Sequence, residues 1–394
     1  MKNTHIKLFL FILLFAFQSN ITFAQIDSIA THVIDKVKDK LDDKRIPRET
    51  FFEKIMYPHR WYIKQLLKPK KIVFDTNYIG SYKQRLTLTL PLVKKFYEFN
   101  LRDINTNNAV KFTPNNYYQF GLNFSNVVLT FGFYPGLKFG SNPSNVDTRS
   151  VDFQVTFIGK KIVTDINYQN YIGFNTQYYN GTNDTYQIDS VYLQRPNIEL
   201  SSIGVNSLYV FNAKKYSLRG AFSFTDIQKK SAGSPVMGVF HSNVNIKNKD
   251  STLIINQALD KFTPEFKKIK AINQKVLGIS MGYGYNFTFY KFTYSIMAIG
   301  GIGVQKTFYT NINQSINNLP YSLATQLNLK TALRYDTKFF FVGIMGTYDR
   351  NYSFNNTIFN NDKLIGRAVG FIGFRFKVKT QMEKILTKMK LINY

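Results

Sequence analysis

Chemistry that depends on cysteine or histidine has little to work with in this chain. There is no Cys, and beyond the first residues the only histidines are His32, His59 and His241, far apart in sequence. A zinc site needs a tight set of such ligands, so none is expected, and no cofactor either. His241-Ser242 is the one adjacency that resembles part of a nucleophilic pair. If that segment is extended, neighbouring side chains point to opposite faces and Ser242 cannot pass its proton to His241. A serine from elsewhere could still approach, because such triads assemble in space. A lipid-modifying enzyme of the acyl-hydrolase type therefore stands as an alternative, but no catalytic residue is assigned. Gly300-Gly301-Ile302-Gly303 lacks the Lys-Ser/Thr and the following helix of a phosphate loop, and strand glycines more often serve close packing.

The charged residues say more. The chain carries 51 Lys and Arg against 24 Asp and Glu, a formal net charge of +27. Lys2 and Lys7 precede the unbroken apolar run Leu8–Phe17, and Thr22-Phe23-Ala24 offers a small-residue cleavage site. That is the layout of a secretory signal peptide, residues 1–24, cut after Ala24. Export argues against nucleic acid as the counter-charge. Outer-membrane lipids, lipopolysaccharide phosphates or anionic small solutes are the expected partners.

The elements that would carry these charges have a period of two. Leu86, Leu88 and Leu90 alternate with polar neighbours, as do Tyr97, Phe99 and Leu101, Val151 to Phe157, Tyr216 to Phe224, Ile279 to Phe289 and Leu323 to Leu333. Many of these segments run nine residues or more, the length of a tilted membrane strand. One face is apolar with aromatics near its ends, and the other is small, polar or charged, which is the pattern of lipid outside and lumen inside. No apolar stretch after Ala24 reaches the roughly 18 residues of a membrane helix.

Short links near Pro91–Lys95, Ser125-Asn126, Gly159–Lys161, Asn212–Lys214, Tyr290-Lys291 and Asp336-Thr337 alternate with long polar ones. The chain thus reads as a closed antiparallel transmembrane β-barrel of 12–14 strands over residues 72–377. It would follow a helical lead-in over 25–71 and precede a basic tail over 378–394. Fourteen strands require Ile72–Ile79 to join the wall, whereas Val236–Ile246 alternates weakly and reads equally as a loop hairpin. By alternation, Arg85, Glu98, Arg102, Asp152, Asp165, Arg219, Lys330, Arg334, Arg367 and Arg375 face the lumen. That basic excess fits either an anion-selective channel or an internal network that narrows or plugs the pore.

Ordered landmarks also resemble a family. Phe74-Asp75-Thr76-Asn77-Tyr78-Ile79, Leu101-Arg102-Asp103, Phe112-Thr113-Pro114-Asn115, Asp165 with Tyr171-Ile172-Gly173, Phe211-Asn212, Tyr216-Ser217-Leu218-Arg219, Gln228 through Ser234 and Gly373-Phe374-Arg375-Phe376 are similar to the domain of unknown function 4421 family of Bacteroidetes-type exported proteins. The resemblance implies an outer-membrane barrel and brings no assigned activity or catalytic residues. The expected function is a narrow or plugged pore, or a structural envelope protein.

Overall fold

The computed structural model describes residues 74–81, 85–115, 118–125, 129–137, 146–158, 161–179, 193–254, 261–313, 315–354 and 358–377. The expected signal peptide, helical lead-in and basic tail lie outside these residues. In chain order the strands are β1 (Ile79–Ser81), β2 (Arg85–Asp103), β3 (Ala109–Thr113), β4 (Tyr118–Phe120), β5 (Leu122–Ser125), β6 (Leu129–Leu137), β7 (Arg149–Ile158), β8 (Ile162–Tyr179) and β9 (Leu193–Val210). There follow β10 (Asp226–Gln228), β11 (Ala232–Asn248), β12 (Ile269–Phe289), β13 (Phe292–Asn311), β14 (Ile316–Asn318), β15 (Ser322–Asp336), β16 (Phe340–Phe354) and β17 (Phe359–Lys377). Among the described residues there are also two short helices, α1 (Leu218–Phe222) and α2 (Pro264–Lys267).

All the pairings are antiparallel, and they run round in a ring. β12 pairs both β11 and β13, β17 pairs β2, and β3, β4 and β5 act as one interrupted strand beside β2. Counted this way the ring has twelve strands. Among the described residues β1 pairs only β10, so Ile79 does not enter the wall and the count of fourteen is not reached there. The weakly alternating Val236–Ile246 is a full wall strand within β11, not a loop hairpin. Conversely, Tyr216–Phe224, expected as a strand, is a turn and a helix outside the ring's pairings.

The link expected at Pro91–Lys95 is absent, since β2 runs unbroken through it. Proline has no N–H to give to a ladder and is tolerated where the partner strand is irregular. Here the partner breaks at Gly121, between β4 and β5, and the Gly121 N–H reaches the Pro91 carbonyl at 2.8 Å. A continuous β2 keeps one parity throughout. Thr87, Thr89, Val93, Lys95, Tyr97, Phe99 and Leu101 are all buried on the inner face, while Leu92 and Phe96 are exposed.

A second irregularity sets the parity of β8. Gly173 adopts φ +91° where the β8–β9 register shifts, so Asp165 and Gln169 below it share the inner face with Phe174 and Tyr178 above it. A Cβ there would lie 2.9 Å from the Asp147 carbonyl oxygen. Gly173→Ala is expected to destabilise the protein by about 1–3 kcal/mol. A urea midpoint equal to the parent's would contradict this.

The two ends of the ring differ. At one end lie the tight links between β12 and β13 at 290–291 and between β15 and β16 at 337–339; at the other lie longer connections such as that from β11 to β12. Towards the loop end β6 and β7 stop, and β3 pairs β8 directly. The ring thereby narrows to ten strands, and its interior there is apolar. Tyr97, Phe99, Phe112, Phe174, Ile198, Leu200, Ile246 and Ile272 converge there with Leu253, Phe262 and Phe266, which are carried inward by the connection between β11 and β12. A ring of this size can be filled by side chains. The outer face is apolar over a wide band, with Leu277, Ile279, Met281, Ile302, Val304 and Ile344 more than half exposed.

Candidate functional site in the ring interior

The interior is built from three layers. The first is the segment 211–231, which leaves β9 at the short-turn end and folds into the ring before β11 begins. Ser217 caps α1: its hydroxyl accepts the Gly220 N–H at 3.0 Å and donates to Asp226 at 2.8 Å. Arg219 pairs with Asp226 at 2.8 Å within the segment. The walls grip it from several sides. Asn286 of β12 donates to the Ser217 carbonyl at 3.0 Å, and Arg334 of β15 donates to the Gly220 carbonyl at 2.6 Å. Arg375 of β17 donates to the Phe224 carbonyl at 3.2 Å. Phe224 stacks on Phe371 at 4.4 Å between ring centroids and lies 5.3 Å from Phe341. Asp336 sits between the two arginines, 2.6 Å from Arg334 and 2.7 Å from Arg375. The chain around β1 straps the plug: Asp75 N–H reaches the Lys214 carbonyl at 3.0 Å, and Lys229 N–H reaches the Tyr78 carbonyl at 2.7 Å.

The second layer is a polar chamber of about 190 Å³ above this plug. Its charged lining consists of Asp165, Arg219, Lys330, Asp349, Lys363 and Arg367. Lys330 reaches across the interior to Asp165 at 3.6 Å, and Thr156 donates to the same carboxylate at 2.6 Å. Lys363 of β17 donates to the Ser202 hydroxyl of β9 at 3.4 Å. The third layer is a buried bridge under the apolar end. Lys95 of β2 contacts both oxygens of Asp152 on β7 at 2.9 Å. Tyr171 donates to Asp152 at 2.9 Å and also receives a hydrogen bond from Lys95, and Gln119 donates to Asp152 at 2.7 Å.

The expected lumen residues thus fall into separate places. Arg219, Arg334 and Arg375 belong to the plug, Asp165, Lys330 and Arg367 to the chamber, and Asp152 to the bridge. Arg219 is there on a helix rather than on a wall strand. Glu98 and Arg102 are corrected. They stand on the opposite face of β2 from buried Tyr97, Phe99 and Leu101, and Glu98 pairs with Lys111 at 2.8 Å. Their alternation implied an interior position only with a turn at Pro91, and an unbroken strand reverses it. The backbone of Arg85 begins β2, and its side chain lies outside the described residues. Two residues escaped the sequence reading. Lys95 was hidden inside the supposed turn, and Lys363 directly follows Arg350–Asp362, which reads as one of the long polar links. Lys363 shares parity with Arg367 and Arg375, and that signal would have found it.

His241 and Ser242 lie on β11, where Phe240 and Val244 are buried on the Ser242 face and Met237 and Val239 are exposed on the His241 face. They therefore point apart, as extended neighbours must. Among the described residues no cluster of three His, Cys, Asp or Glu could hold a metal, and no helix is long and apolar enough to cross a membrane.

The model for the domain of unknown function DUF4421 matches residues 73–376. The chain belongs to the DUF4421 family. That match spans the strands from β1 to Phe376, one residue short of the end of β17, so the plug and its strap around β1 are inside the family domain. No curated protein matches the chain. Among solved structures, the chain is similar to the β domain of the Bordetella autotransporter BrkA, at 9% identity and TM-score 0.34 over 73% of this chain and 99% of that one. It is also similar to the translocator domain of the autotransporter NalP from Neisseria meningitidis, at 10% identity and TM-score 0.30 over 82% and 95%. The P. putida toluene transporter TodX is similar at 8% identity and TM-score 0.25 over 80% and 94%.

Proposed function

We propose that this DUF4421 protein is an outer-membrane β-barrel whose lumen is occluded at rest, a plugged pore rather than an open channel. The observation that carries the reading is an inverted distribution of polarity. Large apolar side chains are exposed outside the ring, and charges and amides are enclosed within it. Contiguous apolar surface of this kind is costly in water and matches lipid. The wall strands β12, β13, β15, β16 and β17 have 15 to 21 residues, more than the roughly 9–11 needed to cross. In this reading the short turns and both chain ends lie in the periplasm, and the long connections lie outside the cell.

Anionic lipid fits the rim. Lys275 and Lys306 face each other directly across β12–β13, just past Leu277 and Val304 on the apolar band. Like charges in directly opposed positions are unfavourable. Lipopolysaccharide phosphates in the outer leaflet would offset that repulsion.

The natural absence of Cys makes the placement testable with single cysteines. Ile316→Cys, on β14 at the loop end, should react with a membrane-impermeant maleimide on intact cells. Tyr290→Cys, in a short turn, should react only after the outer membrane is permeabilised. Equal labelling of both on intact cells would overturn the orientation, and labelling of neither would remove the protein from the cell surface.

A further inference from the structure

The bridge is charge-balanced, whereas the chamber, like the plug where Arg334 and Arg375 share Asp336, holds more cations than carboxylates. The chamber lining holds four cations, Arg219, Lys330, Lys363 and Arg367. Arg219 is matched by Asp226 and Lys330 by Asp165. The remaining carboxylate, Asp349, accepts a hydrogen bond from Asn328 and attracts Lys363 at longer range without forming an ion pair with it. Three acids for four bases leave one positive charge in excess. Among the described residues no carboxylate lies within 4.0 Å of Lys363 or Arg367. Yet Lys363 is only 7% exposed. An enclosed charge is expensive unless something pairs with it.

Unfilled hydrogen-bonding capacity points into the same space. The buried Arg367 Nε and Gln169 Nε2 have no acceptor, and Gln169 is 4% exposed. On the opposite sense, Asn206 Oδ1, Gln326 Oε1 and Asn328 Oδ1 have no donor. All five side chains line the chamber. Water could satisfy the amides but would leave the excess charge uncompensated. A small oxyanion would take hydrogen bonds from Lys363, Arg367 and Gln169, and its own hydroxyl groups would supply the missing donors.

We infer that the chamber is a binding site for one small hydroxylated oxyanion, of the hydrogen-phosphate or short hydroxy-acid class, gripped by Lys363 and Arg367. The inference rests on the occluded-barrel reading for the enclosure of the site, while the charge argument concerns the ring interior alone. Lys363→Gln and Arg367→Gln change the site without touching the plug contacts.

The test uses the full chain, refolded in detergent with labelled inorganic phosphate and then passed through equilibrium dialysis. Acetate, which lacks hydroxyls, and glycerol, which lacks charge, are run in parallel. The folded state of every variant is verified by its heat-modifiable migration on gels. The protein should retain phosphate in preference to acetate and acetate in preference to glycerol. The Lys363→Gln, Arg367→Gln double variant should retain phosphate about tenfold less or weaker still, as loss of charge-assisted hydrogen bonds predicts. Lys363→Arg should keep most of the retention. Equal retention by the parent and the double variant, or no preference for phosphate over glycerol, would overturn the site. A protein that fails the cysteine-labelling pattern yet retains phosphate would lose its proposed place in the membrane and keep the site.

Discussion

Asp336→Asn is expected to be one of the two most damaging single changes in the interior. The carboxylate sits between two nearly fully buried guanidinium groups, 2.6 Å from Arg334 and 2.7 Å from Arg375. The exposures of Arg334 and Arg375 are 2% and 3%. Removing one partner of a buried ionic cluster leaves uncompensated charge and typically costs about 3–5 kcal/mol. An amide nearly preserves the shape of Asp336, so the loss is one of charge and not of volume. The effect should also reach the plug, because the same two arginines hold the Gly220 and Phe224 carbonyls. Both a lower unfolding temperature in detergent and faster proteolysis within residues 211–231 are therefore expected. A variant with the parent's unfolding temperature would show that the arginines do not depend on Asp336.

The second large effect concerns the bridge. Asp152→Leu should destabilise the protein by a similar amount, about 3–5 kcal/mol, because it strands the Lys95 ammonium under the apolar end. Lys95 is 5% exposed, and its described polar partners are Asp152 and the Tyr171 hydroxyl. The double change Lys95→Met, Asp152→Leu should recover much of the loss, since an apolar pair of similar size often replaces a buried ion pair with little penalty. The coupling between the two positions, read from a double-mutant cycle on urea midpoints, should reach about 0.5–3 kcal/mol. Additive losses would mean that Lys95 is stabilised by something other than Asp152.

Much of this architecture was legible in the sequence because a strand writes its two faces as alternation. Ile279 to Phe289 and Leu323 to Leu333 read correctly for that reason: the outer face is apolar and the inner face is small or polar throughout. The rule failed where the interior itself becomes apolar. Tyr97, Phe99 and Leu101 look like a lipid-facing stripe and instead fill the narrowed, ten-stranded end of the ring. The proline at position 91 made the misreading easy, since a turn there would have restored the expected parity. The plug was concealed by a coincidence of pattern. Tyr216, Leu218, Phe222 and Phe224 alternate with Ser217, Arg219 and Ser223 as a strand would, but a five-residue helix surrounded by wall on several sides buries apolar and polar side chains alike. Long-range pairings such as Lys95 with Asp152 or Lys330 with Asp165 leave no local trace and depend on the ring being formed first.

Occlusion of the ring by residues 211–231 is the property on which the plugged pore depends. Planar-bilayer recording tests this directly, comparing the intact chain with one in which residues 213–230 are replaced by a short Gly-Ser linker. The intact protein should insert without steady current, and the plug-deleted chain should give discrete, reproducible current steps. Steady conductance of the intact chain equal to that of the deletion would contradict an occluded lumen.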